Sequence, residues 1–312
     1  MVHLNRRPAA GLPSGPAAWR LLVRAARPGQ WPKSLLVLSP VFFAGHLGQE
    51  AALTRSLLAA GLFTLAAAAV YLGNDLADLG RDRLHPVKRG RPLASGELAP
   101  GLAVAAAGGL AAAALGLAAW LLPAVALVLA AYLVLNLAYS WWLKHRAGWD
   151  LLCLALGLSL RVAAGGLAAP APVTGWLWGL TLALALLLAL GKRRAELTAL
   201  AGRPPDQRPS LAAYRPELLR RLLWATAGAS FLCYGLYLAF SATSRGLSAG
   251  GRLFSAGLVL AGLGRYVWLV ERGRAGEDPA RLVWRDPVTA GVLLAWLGTW
   301  LWLLYFSPRA AG

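Results

Sequence analysis

The sequence contains few charged residues, and acids are the scarcest of them. Only 14% of its 312 residues are charged, whereas 58% are hydrophobic, and the mean hydropathy is +0.56. Charged residues make up about 25% of a typical soluble domain, so this composition excludes an ordinary soluble protein. It indicates instead a membrane protein whose chain crosses the bilayer many times.

Cysteine is nearly absent and offers no metal-ligand pattern. Cys153 and Cys233 both lie inside apolar runs, where we interpret them as small buried side chains. We also expect no cleavable signal peptide, because about the first 30 residues are rich in Pro, Gly and Arg and lack an apolar core.

Basic residues, by contrast, are abundant. The chain has 31 Lys and Arg against 13 Asp and Glu, which gives a formal net charge of +18. Nucleic acid is not an expected partner, because no basic arm with interleaved aromatic residues is present. In a membrane protein such an excess reflects orientation and the binding of anionic lipids or phosphates.

Nine apolar runs follow one another along the chain and predict an all-α bundle of about nine transmembrane helices. They cover residues 34–48, 56–73, 98–121, 124–143, 151–169, 173–191, 222–240, 253–270 and 288–306. The first run is short and contains Pro40, so we expect it to be tilted or broken. Gly and Ala dominate many runs, which permits close helix packing and a homo-oligomer without specifying one.

The distribution of cations predicts the orientation. With the N-terminus placed inside, the outer segments hold only Arg55, Arg245, Arg252 and Arg309. This asymmetry favours a cytoplasmic N-terminus and an odd number of spans. Glu50 alone among the acids lies outside, so we expect the chemistry at the cytoplasmic face.

The chain divides into a tail, an interfacial segment and one membrane domain. We expect residues 1–16 to be a disordered tail. Residues 17–33 predict an amphipathic helix on the membrane surface and a turn, and residues 34–307 a single transmembrane domain. In the turn, Arg27 and Lys33 are either an ordinary interface anchor or contacts to a lipid phosphate.

The second apolar run ends abruptly in a polar motif that contains Asn74, Asp75, Asp78 and Asp82. Its carboxylates are three and four residues apart, so a helix that continues through them puts all three on one face. They repel one another unless a cation lies between them, and oxygen ligands without Cys or paired His favour Mg²⁺. A solvated loop that merely ends the helix is the alternative.

Two groups of cations accompany this motif. Directly after it come Lys88, Arg89 and Arg91, which are suited to phosphate. A second polar cluster ends the sixth apolar run and contains Lys192, Arg193 and Glu196. In an active-site wall, its two cations would hold phosphates and its carboxylate would support the metal or the sugar. The alternative is a helix end with snorkelling side chains.

Three further residues are candidates by position. Arg161 stands alone inside an apolar run, and we interpret it as facing a ligand or paired with an acid rather than bonded to a backbone carbonyl. Tyr139 and Lys144 lie at the end of the fourth run on the same inner face. A site role and an ordinary interface belt fit these two equally well.

The first motif resembles a known one, the first aspartate-rich motif of the UbiA-type superfamily of membrane prenyltransferases: Asn74-Asp75-x-x-Asp78-x-x-x-Asp82. Further segments are similar to the phosphoribosyltransferase branch of that superfamily, in this order: RPGQWPKS, LAYSWWLKH, LSLRVAAGG, GKRRAEL and LCYGL. The likeness covers about residues 20–307. The second aspartate-rich motif of prenyl-diphosphate users is missing, and the cation-rich cluster in its place fits a donor with an extra phosphate.

The resemblance implies a UbiA-like fold in a bacterial cell membrane, with its site on the cytoplasmic face. It implies the transfer of 5-phosphoribose from phosphoribosyl pyrophosphate to a polyprenyl phosphate, with release of pyrophosphate, towards cell-wall arabinan. Asp75, Asp78 and Asp82 would be catalytic and would bind Mg²⁺. The substrates would be bound by Asn74, Lys88, Arg89, Arg91, Lys192, Arg193, Glu196, Arg27, Lys33, Tyr139, Lys144 and Arg161.

Two other functions are alternatives. An aromatic prenyltransferase of the same superfamily would use a prenyl diphosphate, and it predicts the second acidic motif that is missing here. An anion transporter would explain Arg161 and the cationic inner face, but not three acids at a membrane border. The sequence also lacks a clear internal or inverted repeat.

Overall fold

A computed structural model of the chain describes residues 16–171, 173–199, 213–274, 282 and 285–306. Within these residues the regular secondary structure is entirely helical, which confirms the predicted all-α class. The α-helices are α1 (Pro16–Ala25), α2 (Ser39–Phe43), α3 (Glu50–Ala77), α4 (Leu79–Leu84), α5 (Pro100–Leu121), α6 (Pro123–Trp141), α7 (Trp149–Ala168), α8 (Gly175–Ala199), α9 (Pro216–Phe240), α10 (Ala242–Arg245), α11 (Ala249–Glu271) and α12 (Pro287–Leu301). The predicted tail falls almost wholly on residues 1–15, outside the described part.

Eight of these helices are long and apolar enough to cross a membrane, namely α3, α5, α6, α7, α8, α9, α11 and α12 with the π-helical turn Trp302–Phe306 that follows it. Proline occupies the first turn of α5, α6, α9 and α12, where its missing N–H costs nothing. The helix interiors consist mainly of Ala and Leu, which are strong helix formers. Local propensity and membrane length therefore agree in the same segments.

The first apolar run does not form a ninth long helix. It folds as a 3₁₀ helix over Pro28–Leu38 followed directly by the five-residue α2. Pro32 and Pro40 provide no backbone N–H for the α-helical ladder. The nine predicted apolar runs thus correspond to eight long helices and one broken segment, as the proline in that run led us to expect.

The broken segment is inserted tightly against α7. A Cβ atom at Gly165 would lie 1.9 Å from the backbone oxygen of Val37 and 2.9 Å from Cδ of Pro40. Only glycine leaves room for this approach of two backbones. Val37 and Val41 are consequently fully buried although their segment is too short to span a bilayer as an α-helix.

Two buried clusters hold most of the long helices together, and a third includes Trp300 of α12. One is formed by side chains of α3, α5, α6 and α7, including Phe63 and Leu129. The other joins α8, α9 and α11 and includes Leu187 and Val267. Many large apolar side chains point outwards instead, and Trp120 and Leu127 are 78% and 76% exposed. Such an apolar exterior is typical of a bundle solvated by lipid.

Candidate functional site

Contacts between elements bring five helix ends together. Lys144, in the 3₁₀ turn after α6, contacts Asp78 at the end of α3. Arg193 of α8 contacts Asp150 at the start of α7, and Arg194 donates to the backbone oxygen of Pro216 at the start of α9. The ends of α3, α6, α7, α8 and α9 at which these contacts lie therefore form one end of the bundle, which we call the acidic end.

The aspartate motif lies across a break between α3 and α4, not on one unbroken helix. Asp78 is the residue between the two helices, with φ −98° and ψ 4°. The amide hydrogen bonds continue on both sides of it, from Asp78 to Asn74 and from Asp82 to Asp78. The carboxylates meet different cations: Asp75 and Asp82 both contact Arg91, while Asp78 contacts Lys144.

Asp75 is almost completely buried and is bonded to two arginines. Its Oδ1 accepts hydrogen bonds from Nη2 of Arg27 and from Nη1 of Arg91, the latter at 3.1 Å. A buried carboxylate needs such partners, because an unpaired charge in a medium of low dielectric is strongly unfavourable. Both arginines were sequence candidates for phosphate binding, and the structure brings both of them to the aspartate motif.

Arg27 is positioned by an unusual backbone conformation. It has φ 54° and ψ 69°, the left-handed region, immediately before the 3₁₀ helix that starts at Pro28. Its guanidinium lies 5.1 Å from the ring centroid of Tyr71, one helical turn before Asp75. A non-glycine residue adopts this conformation at a cost of about 1 kcal/mol or more, and here the contacts to Tyr71 and Asp75 offset it.

α1 fixes the chain that leads into Arg27. Leu21, Leu22 and Ala25 pack on a small cluster that includes Leu72 of α3 and Leu98 before α5. The opposite face leaves Trp19, Arg20 and Arg24 exposed. A helix therefore lies within the predicted segment and packs its apolar face on the end of the bundle, while its place on the membrane surface stays a prediction.

The other two aspartates have cations of their own. Nη1 of Arg91 lies 2.5 Å from Oδ2 of Asp82, and Nζ of Lys144 lies 2.6 Å from Oδ1 of Asp78. Lys144 is buried, so its charge depends on this acid for compensation. Each carboxylate of the motif is thus paired with a cation from outside the motif.

The remaining candidates near the first motif are Asn74 and three cations, and their contacts differ. The side-chain oxygen of Asn74 accepts a hydrogen bond from Ser140 of α6, which ties α3 to α6 beside the acids. Lys88 and Arg89 lie in the 3₁₀ turn Lys88–Gly90, half-buried and exposed respectively. Neither of these two cations forms an ion pair with any acid that the structure describes. Lys33 is half-buried and lies in the 3₁₀ helix of the broken segment.

The donor set of the motif suits a hard divalent cation, but Arg91 lies between two of the carboxylates. Carboxylate and amide oxygens are the ligands that Mg²⁺ prefers. Nη1 of Arg91 lies within hydrogen-bond distance of both Asp75 and Asp82, so this nitrogen stands in for a cation shared by two carboxylates. Within the described residues no three acids, histidines or cysteines converge as a preformed metal site. A metal between Asp75 and Asp82 would have to displace Arg91.

A cavity of about 390 Å³ opens next to Arg27. It is lined by Arg24, Arg27, Pro28, Gly29 and Gln30. Arg24 also donates to the backbone oxygen of Gly90, which joins the cavity wall to the basic turn after the aspartates. The cavity is thus lined by two arginines, and one of them is the Arg27 that pairs with Asp75.

The second polar cluster is built differently from the sequence prediction. Arg193 is fully buried, with Nε 2.7 Å from Oδ2 of Asp150 and Nη1 bonded to Glu196. The contact to Asp150 is not aligned as a hydrogen bond, because Nε, Nη2 and that oxygen have no hydrogen-bond partner in the described part of the chain. Arg193 thus connects α7 and α8 through two acids, and its predicted contact to a phosphate stays a prediction.

Asp150 is the residue that sequence reasoning missed, and it is bonded to Tyr214. The hydroxyl of Tyr214 donates to Oδ1 of Asp150 and accepts from the backbone N–H of Gly148 at 2.7 Å. Burial and the neighbouring Asp150 carboxylate raise the pKa of Tyr214 above its usual value, so the hydroxyl keeps its proton. The available signal was an acid in the first turn of an apolar helix, where it also complements the helix dipole.

Gly191 places the second cluster close to α11. A Cβ atom there would lie 2.1 Å from Oη and 2.9 Å from Cζ of Tyr266. The next two residues, half-buried Lys192 and buried Arg193, therefore follow a close helix contact. Tyr139 is buried and lies within electrostatic reach of Arg193, so the fourth run does contribute to this region.

Arg161 lies far from these groups. It is eleven residues after Asp150, which corresponds to about 16 Å along α7. Nη1 donates to the backbone oxygen of Gly157 at 2.5 Å and Nη2 to the hydroxyl of Tyr132 at 3.0 Å. Its guanidinium also lies over the rings of Tyr132 and Phe63. No described acid pairs with it, so the carbonyl contact that we had ranked second is the one observed.

Comparisons with known proteins agree over most of the chain. A model of the UbiA prenyltransferase family matches residues 34–286. The chain is 36% identical to the decaprenyl-phosphate phosphoribosyltransferase of Mycolicibacterium smegmatis over 246 residues, which cover 77% of this chain and 76% of that protein. It is 36% identical to the one of Mycobacterium tuberculosis over 273 residues, or 86% and 88% of the two chains. It is 32% identical to the decaprenyl-phosphate phosphoribosyltransferase of Corynebacterium glutamicum over 237 residues, which cover 75% of this chain and 70% of that protein.

Solved structures have the same arrangement of helices. A UbiA homolog from Archaeoglobus fulgidus bound to GPP and Mg²⁺ superposes with a TM-score of 0.69 at 19% identity, over 91% of this chain and 99% of that one. A digeranylgeranylglyceryl phosphate synthase superposes with a TM-score of 0.66 at 13% identity, over 92% and 98%. At these identities the likeness concerns the fold alone.

Proposed function

This chain belongs to the UbiA prenyltransferase family, and we propose that it transfers 5-phosphoribose from phosphoribosyl pyrophosphate to decaprenyl phosphate or a similar polyprenyl phosphate. Pyrophosphate leaves as C1 of the ribose bonds to an oxygen of the lipid phosphate. The product would be a precursor of a pentose donor for cell-wall arabinan. Relatives that carry this activity in their names, at 32–36% identity over most of the chain, support the proposal.

The structural observation that carries the proposal is the pairing of every motif carboxylate with a cation. Arg27, Arg91 and Lys144 come from three separate segments and meet at Asp75, Asp78 and Asp82. Guanidinium and ammonium groups at these positions are suited to the phosphates of a highly charged donor. A donor with three phosphates supplies the negative charge that so cationic a site requires.

The reaction needs electrostatic stabilisation more than proton transfer. Positive charge develops on the ribose ring and negative charge on the leaving pyrophosphate as the C1–O bond breaks, and fixed groups that match these charges lower the barrier. The acceptor phosphate is already an anion, so no general base is required. Arg91 with Lys88 and Arg89 would hold phosphate oxygens.

A divalent ion, when bound by Asp75, Asp78 and Asp82 directly or through water, would neutralise charge on the pyrophosphate. The chain's own residues prepare this site. Ser140 holds Asn74, Lys144 holds Asp78 and Arg91 holds the other two acids until phosphates compete for the cations.

The acceptor would reach the site from the membrane. Its phosphate would enter the cavity between Arg24 and Arg27, with Lys33 beside it, while its tail stays against the apolar exterior of the bundle. We place this acidic end on the cytoplasmic side of a bacterial cell membrane, because the cation-rich segments lie there.

The test is a purified-protein assay in detergent with Mg²⁺. One reaction contains phosphoribosyl pyrophosphate and decaprenyl phosphate, and the other contains a prenyl diphosphate and an aromatic acid. We expect pyrophosphate release and a lipid product heavier by one phosphoribosyl group in the first reaction only, and loss of that product on chelation. Product in the second reaction alone would establish aromatic prenyl transfer instead, and silence in both would leave an anion carrier as the better account.

A further inference from the structure

Three arginines surround one indole ring near the end of α11. The guanidinium carbons of Arg265, Arg272 and Arg274 lie 4.6, 5.4 and 5.7 Å from the ring centroid of Trp268. We call these four residues the Trp268 cluster. None of them contacts the aspartate motif or the cluster around Arg193, so the proposed reaction does not account for them.

The local sequence builds this arrangement. Gly273 has φ 66°, and its N–H bonds to the backbone oxygen of Val270, while the N–H of Arg274 bonds to that of Leu269. These two bonds are those of a Schellman motif, in which glycine takes the left-handed position and the chain reverses over the last helical turn. The reversal returns Arg274 to the ring that Arg272 already borders.

Among the described residues, the positive charge of the cluster is only partly compensated. Arg265 forms two hydrogen bonds to Asp286, at 3.1 and 2.6 Å. The carboxylate of Glu271 is engaged elsewhere, because it accepts from the indole N–H of Trp224 at 3.0 Å. Arg272 and Arg274 are exposed and have no acidic partner among the residues that the structure describes.

The three guanidinium groups lie close enough together to repel one another. The distances to the shared ring put any two of the three guanidinium carbons within about 11 Å of each other, close to the Debye length of about 8 Å at physiological salt. Their mutual repulsion is therefore incompletely screened. A bound anion would remove it.

An apolar track leads from the cluster along the membrane-facing side of α11. Leu260, Gly264 and Trp268 are four residues apart, so they share one face, and all three are exposed. The space beside Gly264 is open, because a Cβ atom there would have no neighbour within 4 Å. An acyl chain can follow this track, whereas a free phosphate ion gains nothing from it.

The cluster lies at the acidic end of the bundle, at the level where headgroups are expected. A side chain at Gly273 would contact Thr198 near the end of α8, the same helix end that carries Glu196. Trp268 and Trp224 are 36% and 53% exposed. Partly exposed tryptophans at the end of a span are typical of the membrane interface.

We propose that the Trp268 cluster binds the phosphate headgroup of an anionic membrane phospholipid. The guanidinium groups of Arg272 and Arg274 donate to phosphate oxygens, and one acyl chain lies along Leu260 and Gly264. This site is separate from the catalytic one and does not depend on the proposed reaction.

The test uses native mass spectrometry of the full chain in detergent, titrated with phosphatidylglycerol, with phosphatidylcholine of the same acyl chains, or with inorganic phosphate. We expect a preference for phosphatidylglycerol that falls roughly tenfold in Arg272→Gln/Arg274→Gln, since each surface cation contributes to anionic-lipid binding. The variant Arg272→Lys/Arg274→Lys retains the charge and should keep most of the preference, which separates loss of charge from loss of fold.

The matched control is Arg220→Gln/Arg221→Gln, which removes the same charge from the same end. Those two arginines already pair with Glu217, so the control should keep the preference. Equal losses in both double variants would show diffuse attraction and overturn the site. Equal binding of both lipids would also overturn it, as would full competition by inorganic phosphate, which would indicate a free-phosphate site.

Discussion

A single nitrogen of Arg91 joins two carboxylates of the aspartate motif, because Nη1 lies 3.1 Å from Oδ1 of Asp75 and 2.5 Å from Oδ2 of Asp82. These acids are seven residues apart, which would separate them by about 10 Å along a straight helix. The break at Asp78 and the shared guanidinium bring them together. Arg91 thus occupies the position that a metal would take, and it is also a group that a phosphate would attract.

This relationship predicts an unusual effect of Arg91→Gln. In the absence of any phosphate ligand, the variant should bind Mn²⁺ roughly tenfold more tightly than the wild type, because a competing cation is gone; tenfold corresponds to ~1.4 kcal/mol. The measurement is the free Mn²⁺ signal in electron paramagnetic resonance. Arg83→Gln removes the same charge from the exposed side of α4 and should leave Mn²⁺ affinity unchanged. Weaker Mn²⁺ binding by Arg91→Gln would contradict the assignment.

The close contact at Gly191 predicts a rescue experiment. Gly191→Ala should lower both thermal stability and activity, because its methyl group would overlap Oη of Tyr266, and overpacking costs about 1–3 kcal/mol. Adding Tyr266→Phe removes that oxygen and should restore part of the loss, while Cζ and Val270 still crowd the site. Gly257→Ala on α11 meets open space and serves as the control. An additive double variant would argue against the contact.

The buried network around Asp150 predicts graded losses of stability. Asp150→Asn should destabilise the protein by about 3 kcal/mol, because Arg193 is fully buried and loses one of its two acids. Tyr214→Phe should lower the stability by less, about 1–2 kcal/mol, because Asp150 and the Gly148 N–H each lose a hydrogen bond. Thermal unfolding in detergent measures both. The exposed Glu217→Gln should change little, and an equally small effect of Asp150→Asn would refute the network.

Asp286 predicts a dependence on pH. Its hydrogen bonds from Arg265, and then from Thr289, hold the pKa of this carboxyl well below its usual value. The stabilisation is therefore present above the unfolded pKa of about 3.9 and is lost as the pH falls towards the folded pKa. The difference in melting temperature between the wild type and Asp286→Asn should be constant from pH 7 to 5 and should shrink below pH 4. A difference in melting temperature that grows as the pH falls would contradict the lowered pKa of Asp286.

The aspartate motif shows how far sequence alone can lead. Spacing and the abrupt end of an apolar run identified Asp75, Asp78 and Asp82 because both are local signals. The break at Asp78 was not predicted, because the acids are spaced as in a continuous helix, and the backbone hydrogen bonds do continue past it. The match of Lys144 to Asp78 joins residues 66 positions apart, which one sequence cannot reveal.

Arg193 and Arg161 show contacts that the sequence did not reveal. A cation at a helix end looks the same whether it faces a phosphate or a buried acid, and the deciding partner, Asp150, looked like an ordinary polar start of an apolar run. Arg161 bonds to a carbonyl of its own helix and to Tyr132, a neighbour that only the packing of α6 on α7 supplies, while its buried Nε has no hydrogen-bond partner among the described residues. Both cases concern burial, which depends on tertiary contacts rather than on local pattern.

The measurement that tests the central claim most directly is the mass and amount of lipid product from phosphoribosyl pyrophosphate and decaprenyl phosphate with Asp75→Asn beside Glu50→Gln. Glu50 lies at the opposite end of α3 and is exposed, so its variant is the control for loss of one carboxylate. We predict that Asp75→Asn reduces product formation by at least roughly a hundredfold, while Glu50→Gln retains wild-type activity. Equal activity of both variants would contradict a catalytic site at the aspartate motif.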